Sequence, residues 1–130
     1  MPTATKKMEA WFDWVGDPDK ARVLFRLLTD QDLDAVKTAS QHHRQYFDRE
    51  SGAFQMELRI DNSADRREAA LRATLAWECF YDGDRKPMEC TPENVAFWSC
   101  DPDFMGFLYQ CQAGLRKAAA EQLEAARKNS

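Results

Sequence analysis

Several features on which catalysis or membrane insertion depends are scarce in this sequence. It holds only two histidines, adjacent at His42 and His43, and its five glycines are too scattered to form a phosphate-binding loop. No run of ~18 apolar residues is present, so no segment is expected to span a membrane. Residues 1–7 lack the apolar core and cleavage site of a secretory signal. These absences favour a cytoplasmic protein.

Cysteine chemistry has little support either. The cysteines stand 11, 10 and 11 residues apart without a Cys-x-x-Cys pair, at Cys79, Cys90, Cys100 and Cys111. Such spacing does not suit a structural zinc site, and without a signal peptide a disulfide framework is not expected. We interpret these residues as small buried apolar side chains, which leaves open an exposed thiol or a chance metal contact.

The remaining composition is that of one folded domain over residues 1–130. Hydrophobic residues make up 44% of the chain and aromatic residues 12%, which is enough for a real core. Two separate cores would each be marginal at this length. The formal net charge of -4 argues against nucleic acid as the main partner, because phosphate binding needs a basic surface.

The N-terminal half predicts short strands and a helix. Residues 1–9 are polar and expected to be loose, and Val23–Leu28 predicts a strand that Trp11–Val15 could join as a hairpin. Thr29 is a typical N-cap, and an apolar stripe predicts a helix to about Asp48. The stripe residues are Leu33, Val36, Ser40, His43 and Phe47.

Three further segments are predicted before the last helix. The alternating residues Phe54–Ile60 favour a strand, with a short helix as the alternative. Asn62 or Ser63 is expected to cap a helix whose stripe continues through Leu71, Leu75 and Cys79. Thr91 caps the next helix, and Pro92 occupies its first position.

A long helix is predicted over residues 102–128. Phe104, Leu108, Cys111 and Leu115 form its apolar stripe, which thins beyond Leu115 to alanines and Leu123. The distal part is therefore expected to project. The fold class is α+β and mainly helical, with short N-terminal strands or a hairpin, about four helices and a projecting C-terminal helix.

No catalytic residue, metal ligand or cofactor is predicted. His43 lies on the apolar stripe of its expected helix, where a histidine is more often a satisfied core residue than a catalyst. The acidic residues around Asp82-Gly83-Asp84 lack the alternating ligands and closing glutamate of a calcium loop, and a solvated acidic face is the simpler interpretation.

Aromatic residues are in excess, and they guide the search for a binding surface. We expect an exposed apolar patch around Phe97-Trp98 with Phe104, Phe107 and Leu108, since Trp and Tyr are typical interface anchors. The candidate protein-binding residues are Phe97, Trp98, Phe104, Phe107, Leu115 and Leu123.

An ordered pattern in the second half resembles a known family. Trp77-x-x-Phe80-x-Asp82-Gly83-Asp84 is followed by Lys86-Pro87-Met88-Glu89-Cys90-Thr91-Pro92-Glu93-Asn94-Val95, then by Asp101-Pro102-Asp103-Phe104-Met105. This combination is similar to tail assembly chaperones of long non-contractile-tailed phages and prophages. Cys90 and Cys100 depart from the family, which has ordinary apolar or small residues there. The pattern itself is explicable as scaffold and marks no site.

The resemblance implies a non-enzymatic role in virion morphogenesis. Such chaperones bind the long helical tape measure protein, help deliver the major tail protein, and leave before the virion is complete. In many phages a frameshift yields an extended product, and this chain would correspond to the short form. Self-association is a further interaction left open.

Two other functions compete with this hypothesis. A prophage or bacterial adaptor could use the acidic face around Asp82, Asp84 and Glu93 to bind a basic protein. A small enzyme or redox protein could use Cys79, Cys90 or the His42–His43 pair.

Overall fold

The computed structural model describes residues 8–60 and 62–128, and five strands and four helices lie within them. For residues 42–46, 55–60 and 62 only the backbone is described. In chain order the elements are β1 (Glu9–Asp13), β2 (Arg22–Arg26), α1 (Asp30–Ser40), β3 (Gln41–Asp48), β4 (Ala53–Ile60), α2 (Asn62–Ala73), β5 (Thr74–Glu78), α3 (Pro92–Trp98) and α4 (Pro102–Lys128). The fold is α+β and mainly helical, as predicted.

An antiparallel sheet of order β1-β2-β5 forms one layer of the fold. The expected N-terminal hairpin is confirmed, with Trp11 opposite Leu24. Gly16, at φ +92°, provides the left-handed conformation that the connecting turn requires. β2 is central, and its Val23 and Phe25 are fully buried, because alternate side chains of a strand face the same side.

The prediction for the segment after Thr29 is only partly correct. α1 begins with the expected cap, a capping box between Thr29 and Asp32, but it ends at Ser40 instead of Asp48. Residues 41–48 form β3, which pairs with β4 in a separate two-stranded sheet. A tight turn reverses the chain, with Gly52 at φ +66° donating its N–H to the carbonyl of Asp48 at 2.8 Å. Pairing between the strands outweighs the helical spacing.

This correction bears on the histidines. His42 and His43 lie in β3 instead of on a helix, and their side chains fall outside the described part of the structure. The strand expected over Phe54–Ile60 is confirmed as β4, so the helical alternative is wrong.

α2 is also shorter than predicted. It ends at Ala73, and residues 74–78 form β5 against β2. The expected helical stripe through Leu75 and Cys79 is therefore wrong. β5 satisfies the second edge of the buried strand β2 and buries Trp77, while Leu75 stays 43% exposed. Both hydrogen-bonding edges of β2 are thus used, which a helix could not achieve.

α4 covers the predicted range and closes the core. Its stripe of Phe104, Leu108, Cys111 and Leu115 is buried, whereas all residues from 120 to 128 are exposed. The projecting C-terminal helix is thereby confirmed. None of the helices in residues 8–60 and 62–128 combines the length and apolar character that crossing a bilayer requires.

The start of the chain differs in part from the expected loose stretch. Met8 packs against the core, and Glu9 already begins β1. Residues 1–7 of that stretch lie outside the described residues.

Candidate protein-binding surfaces

An aromatic cluster centred on Trp14 joins the β1–β2 turn to α3 and α4. The Trp14 ring stacks on Phe107 at 5.4 Å between centroids and lies 5.9 Å from the rings of both Trp98 and Phe104. The cluster is largely internal, since Phe104 is fully buried. Contacts of this kind fix the geometry of the surrounding surface.

The predicted exposed patch is therefore only partly at the surface. Phe97 is 66% exposed, and Trp98 and Phe107 are half-buried. Phe104 and Leu108 are core residues, because their side chains complete the buried stripe of α4. Leu115 is likewise only 3% exposed and does not face a partner, while Leu123 is 58% exposed.

One open groove runs between the β1–β2 turn and the first turns of α4. Its volume is about 750 Å³. We call it the α4 groove and define it by the apolar positions Phe12, Trp14, Val15, Gly106 and Phe107, together with the carboxylates of Asp13, Asp17 and Asp103. It therefore combines an apolar lining with negative charge.

Val15 and Gly106 make the α4 groove accessible to a large partner. Val15 is 92% exposed, which is unusual for a side chain of this type. Gly106 is exposed on α4, and a Cβ atom added there would meet nothing within 4 Å. A partner backbone could approach α4 closely at this position.

A second groove lies beside α3. Its volume is about 540 Å³. We call it the Phe97 groove and define it by its lining residues Tyr81, Asp82, Gly83, Met88, Asn94, Phe97 and Trp98.

The residues of the family-like pattern build the wall of the Phe97 groove. Trp77 stacks on Phe80 at 4.3 Å and donates its indole N–H to the carbonyl of Met88 at 2.8 Å. Asn94 donates from its side-chain amide to the carbonyl of Glu89 at 2.8 Å. The first bond holds the extended piece against β5, and the second holds it against α3. Five residues of this segment line the groove, and the interpretation that the segment marks no site stays a prediction.

The acidic turn next to the Phe97 groove is held by its own hydrogen bonds. Asp82 accepts from the backbone N–H groups of Asp84 and Lys86, each at 2.9 Å. Arg85 pairs with Asp19 at 2.8 Å, and hydrogen bonding from Arg85 lowers the pKa of that carboxyl. Arg85 is occupied by this pair, and Asp82 is the charged residue among those that line the groove.

The projecting end of α4 forms a third exposed surface. We call residues 116–128 the distal α4 segment. It carries Leu123 among alanines, with basic residues at both ends: Arg116, Lys117, Arg127 and Lys128. Glu124 lies 4.0 Å from Lys128, an exposed i, i+4 pair that contributes little.

Gln112 is a positioning residue that the sequence analysis missed. It is 3% exposed, accepts from the N–H of Leu28 at 2.9 Å and donates to the carbonyl of Arg26 at 2.8 Å. It thus fixes α4 against the end of β2. Its place directly after Cys111 on the buried face was the only available signal.

The cysteines are less uniform than expected. Cys111 is buried, and burial raises the pKa of its thiol to about 12; burial also raises the pKa of half-buried Cys90. Cys79 and Cys100 are exposed, so the interpretation as buried side chains is wrong for these two. Among residues with described side chains, no three His, Cys, Asp or Glu residues are placed to hold a metal ion.

Comparisons of the chain with protein-family models, with curated proteins and with solved structures gave no match.

Proposed function

We propose that this protein is a non-enzymatic phage or prophage tail assembly chaperone acting in the bacterial cytoplasm. It binds the tape measure protein, helps recruit the major tail protein, and is absent from the mature virion. The family-like pattern around Trp77–Asn94 motivates the proposal. The α4 groove is the observation that carries it, because the groove offers an accessible surface, part apolar and part polar, that suits an amphipathic helix.

The lining of the α4 groove indicates what its occupant should look like. Val15 and Phe107 offer apolar contact, and Gly106 permits close approach of a backbone. Asp13 and Asp103 add exposed negative charge. The matching partner is an amphipathic helix whose apolar stripe is bordered by Lys or Arg, a common mode of helix recognition.

Reversible binding suits such a surface. An apolar stripe on a long unassembled helix would aggregate if left exposed, and the α4 groove could cover a few of its side chains at a time. Flanking carboxylates speed association and make it sensitive to salt. A partner held in this way can be released when tail protein covers the same stripe.

A pair of glycine variants tests the α4 groove. Gly106→Leu would fill the groove, whereas Gly114→Leu changes another exposed α4 glycine that does not line it. Neither new side chain meets an obstacle at Cβ, and both should stabilise α4 by about 1 kcal/mol. We expect Gly106→Leu to weaken binding of a tape measure fragment at least ~10-fold, while Gly114→Leu leaves it unchanged.

Co-expression with the tape measure fragment and titration of the purified pair provide the measurement. Soluble fragment that accumulates with the wild type and the Gly114→Leu variant, but not with Gly106→Leu, supports the proposal. Equal binding by both variants contradicts it. A salt-sensitive interaction with a basic protein that is lost on neutralising Asp82, Asp84 and Glu93 would instead favour the adaptor function.

A further inference from the structure

The Phe97 groove is lined by aromatic side chains and carries one negative charge. Three of its seven lining residues are aromatic, namely Tyr81, Phe97 and Trp98, and Met88 adds a further apolar surface. Asp82 supplies the charge. Aromatic rings have electron-rich faces, and such faces beside a carboxylate attract a cation more strongly than a neutral molecule of the same shape. The lining therefore has the chemistry of a cation site.

The aromatic wall of the groove is held in place by the core. The planes of the Phe97 and Trp98 rings lie at 89° to each other, with their centroids 6.0 Å apart. Trp98 also packs on Phe80 at 5.2 Å between centroids and on Trp14 at 5.9 Å. Phe80 is only 4% exposed, so the wall rests on a buried side chain. Two nearly perpendicular rings that both line the groove can contact a compact group from two sides, with little rearrangement.

The carboxylate of Asp82 is oriented by its own turn. Its Oδ1 atom accepts from the backbone N–H groups of Asp84 and Lys86, each at 2.9 Å. Its Oδ2 atom accepts no hydrogen bond from any residue that the structure describes. A ligand can therefore reach this oxygen without first breaking a contact within the described part of the protein.

The positive charge of Arg85, next to the groove, is already balanced. Its guanidinium carbon lies 4.9 Å from the centroid of the Tyr81 ring. Two of its nitrogens donate to the carboxylate of Asp19, at 2.8 and 2.9 Å, and a bidentate pair of this kind balances the guanidinium charge. Arg85 therefore does not cancel the charge of Asp82. Its position over Tyr81 also shows that one ring of the lining already faces a cation.

We propose that the Phe97 groove binds a small alkylated ammonium ion, of the trimethylammonium class to which choline belongs. The methyl groups pack against the rings of Phe97 and Trp98, and the positive charge faces Asp82. An alkylated ammonium has no N–H donor, so it loses no donor hydrogen bond to water when it meets an aromatic wall, whereas a primary ammonium has three donors to satisfy. A groove of about 540 Å³ also lies within the size range of small-molecule sites.

This site is separate from the α4 groove. None of the residues that line the Phe97 groove also lines the α4 groove. Ligand binding beside α3 therefore goes beyond the proposed chaperone function, and either proposal can fail without affecting the other.

Choline and its neutral carbon isostere, in which a tert-butyl group replaces the trimethylammonium group, are the matched probes. The two molecules have nearly the same shape and differ in charge. Titration of the full chain with each, followed by nuclear magnetic resonance of the Trp98 indole N–H and the Gly83 backbone N–H, measures binding. We expect choline to saturate with a Kd of about 1–10 mM, and the isostere to bind ~5-fold more weakly or worse.

Two pairs of variants locate the site. Asp82→Asn removes the charge but keeps an oxygen for the two backbone N–H groups, and Asp84→Asn makes the same change on a neighbouring carboxylate outside the lining. Phe97→Leu removes a ring but keeps an apolar side chain, and Phe54→Leu does the same in β4. All four side chains are exposed, so each variant should fold. Asp82→Asn and Phe97→Leu should each weaken choline binding ~3-fold or more, and the two controls should bind like the wild type.

Several results would overturn the proposal. These are equal affinity for choline and its isostere, no saturable change up to ~50 mM choline, or control variants that lose as much affinity as Asp82→Asn and Phe97→Leu. A peptide bearing trimethyl-lysine is the last probe. If it binds ~10-fold more tightly than choline, the groove recognises a side chain of a partner protein instead of a free ligand, and the proposal is wrong. Tape measure binding by Phe97→Leu, measured separately, reports on the α4 groove alone.

Discussion

Gln112 places an uncharged polar side chain in the middle of the buried face of α4. Both ends of its amide are used, one by the N–H of Leu28 and the other by the carbonyl of Arg26. Arg26 is the last residue of β2, and Leu28 lies two residues beyond the strand. One side chain thus satisfies two backbone groups at the end of β2 and ties α4 to that strand.

Replacing Gln112 by Ala should lower the free energy of unfolding by about 2–4 kcal/mol, because two backbone groups lose their partners in a buried setting. Gln122→Ala is the matched control, since Gln122 is exposed on the same helix and should change stability by less than about 0.5 kcal/mol. Urea unfolding of both variants measures the difference. Equal losses would mean that the hydrogen bonds of Gln112 contribute nothing specific.

At the scale of single residues, the buried stripe of α4 was predictable, whereas Leu33 of α1 and Leu71 of α2 were expected on apolar stripes and are exposed. Partners distant in sequence were not predictable. The spacing of Phe104, Leu108, Cys111 and Leu115 was sufficient to place all four in the core. Gln112 bonds to residues more than eighty positions away, and no local pattern encodes that pairing. The exposure of Phe97 also depends on residues from another part of the chain that line the same groove, such as Tyr81 and Met88.

Three elements meet at Asp32. Its carboxylate accepts from Arg26 at 2.7 Å and from Arg72 at 3.0 Å, which links the end of β2, the first turn of α1 and the last turn of α2. Hydrogen bonds from Arg26, and then from Thr29 and Arg72, hold the pKa of the Asp32 carboxyl well below its usual range despite burial. Such a lowered pKa stabilises the folded state only while the carboxyl is ionised.

This cluster predicts an acid-dependent loss of stability. The contribution of Asp32 is present above the ordinary aspartate pKa of about 3.9 and is lost as pH falls below it towards the lowered folded-state value. Asp32→Asn should cost about 2–4 kcal/mol at neutral pH and should flatten the decline below about pH 4. Asp30→Asn, an exposed change in the same turn, should keep the slope. Denaturant unfolding between pH 3 and about pH 7 checks both; an unchanged slope in Asp32→Asn would contradict the assignment.

At the scale of elements, the starts were more predictable than the ends. Thr29 and Thr91 both cap helices as expected, because a cap is a local hydrogen bond between residues three apart. The predicted ends of α1 and α2 were wrong because strand pairing begins at Gln41, with the neighbouring strand β4, and at Thr74, with the distant strand β2. Helical spacing in the sequence persists there, but it is outweighed by ladder bonds.

In the molecule as a whole, the two halves of α4 differ in burial. The first half packs in the core and stabilises the fold, whereas the second half is exposed and projects. Deleting residues 117–130 should change the free energy of unfolding by about 1 kcal/mol or less, because the deleted part that the structure describes is mostly exposed. Leu115→Ala in the full chain should cost about 2–4 kcal/mol through the cavity it creates. Thermal unfolding compares the two. A large loss from the deletion would show that residues beyond 116 belong to the core.

The candidate surfaces were predictable only in part. Leu123 and Phe97 were proposed as binding residues and lie exposed, since one follows a thinning stripe and the other lies at the end of a short helix. The α4 groove was not predicted, because it forms between the β1–β2 turn and a helix some ninety residues later. Its width depends on the packing of Trp14 against Phe107, a contact with no signal in either local sequence.

The central strand β2 also has a consequence for how the chain folds. Leu24 faces Trp11, thirteen residues before it, and Ala76, fifty-two residues after it. Closing the short loop is fast, whereas the long one must wait until α1, the β3–β4 hairpin and α2 have shortened the intervening chain. Attachment of β5 is thus expected to be the slow step. Until it occurs, a nascent chain on the ribosome exposes one open edge of β2.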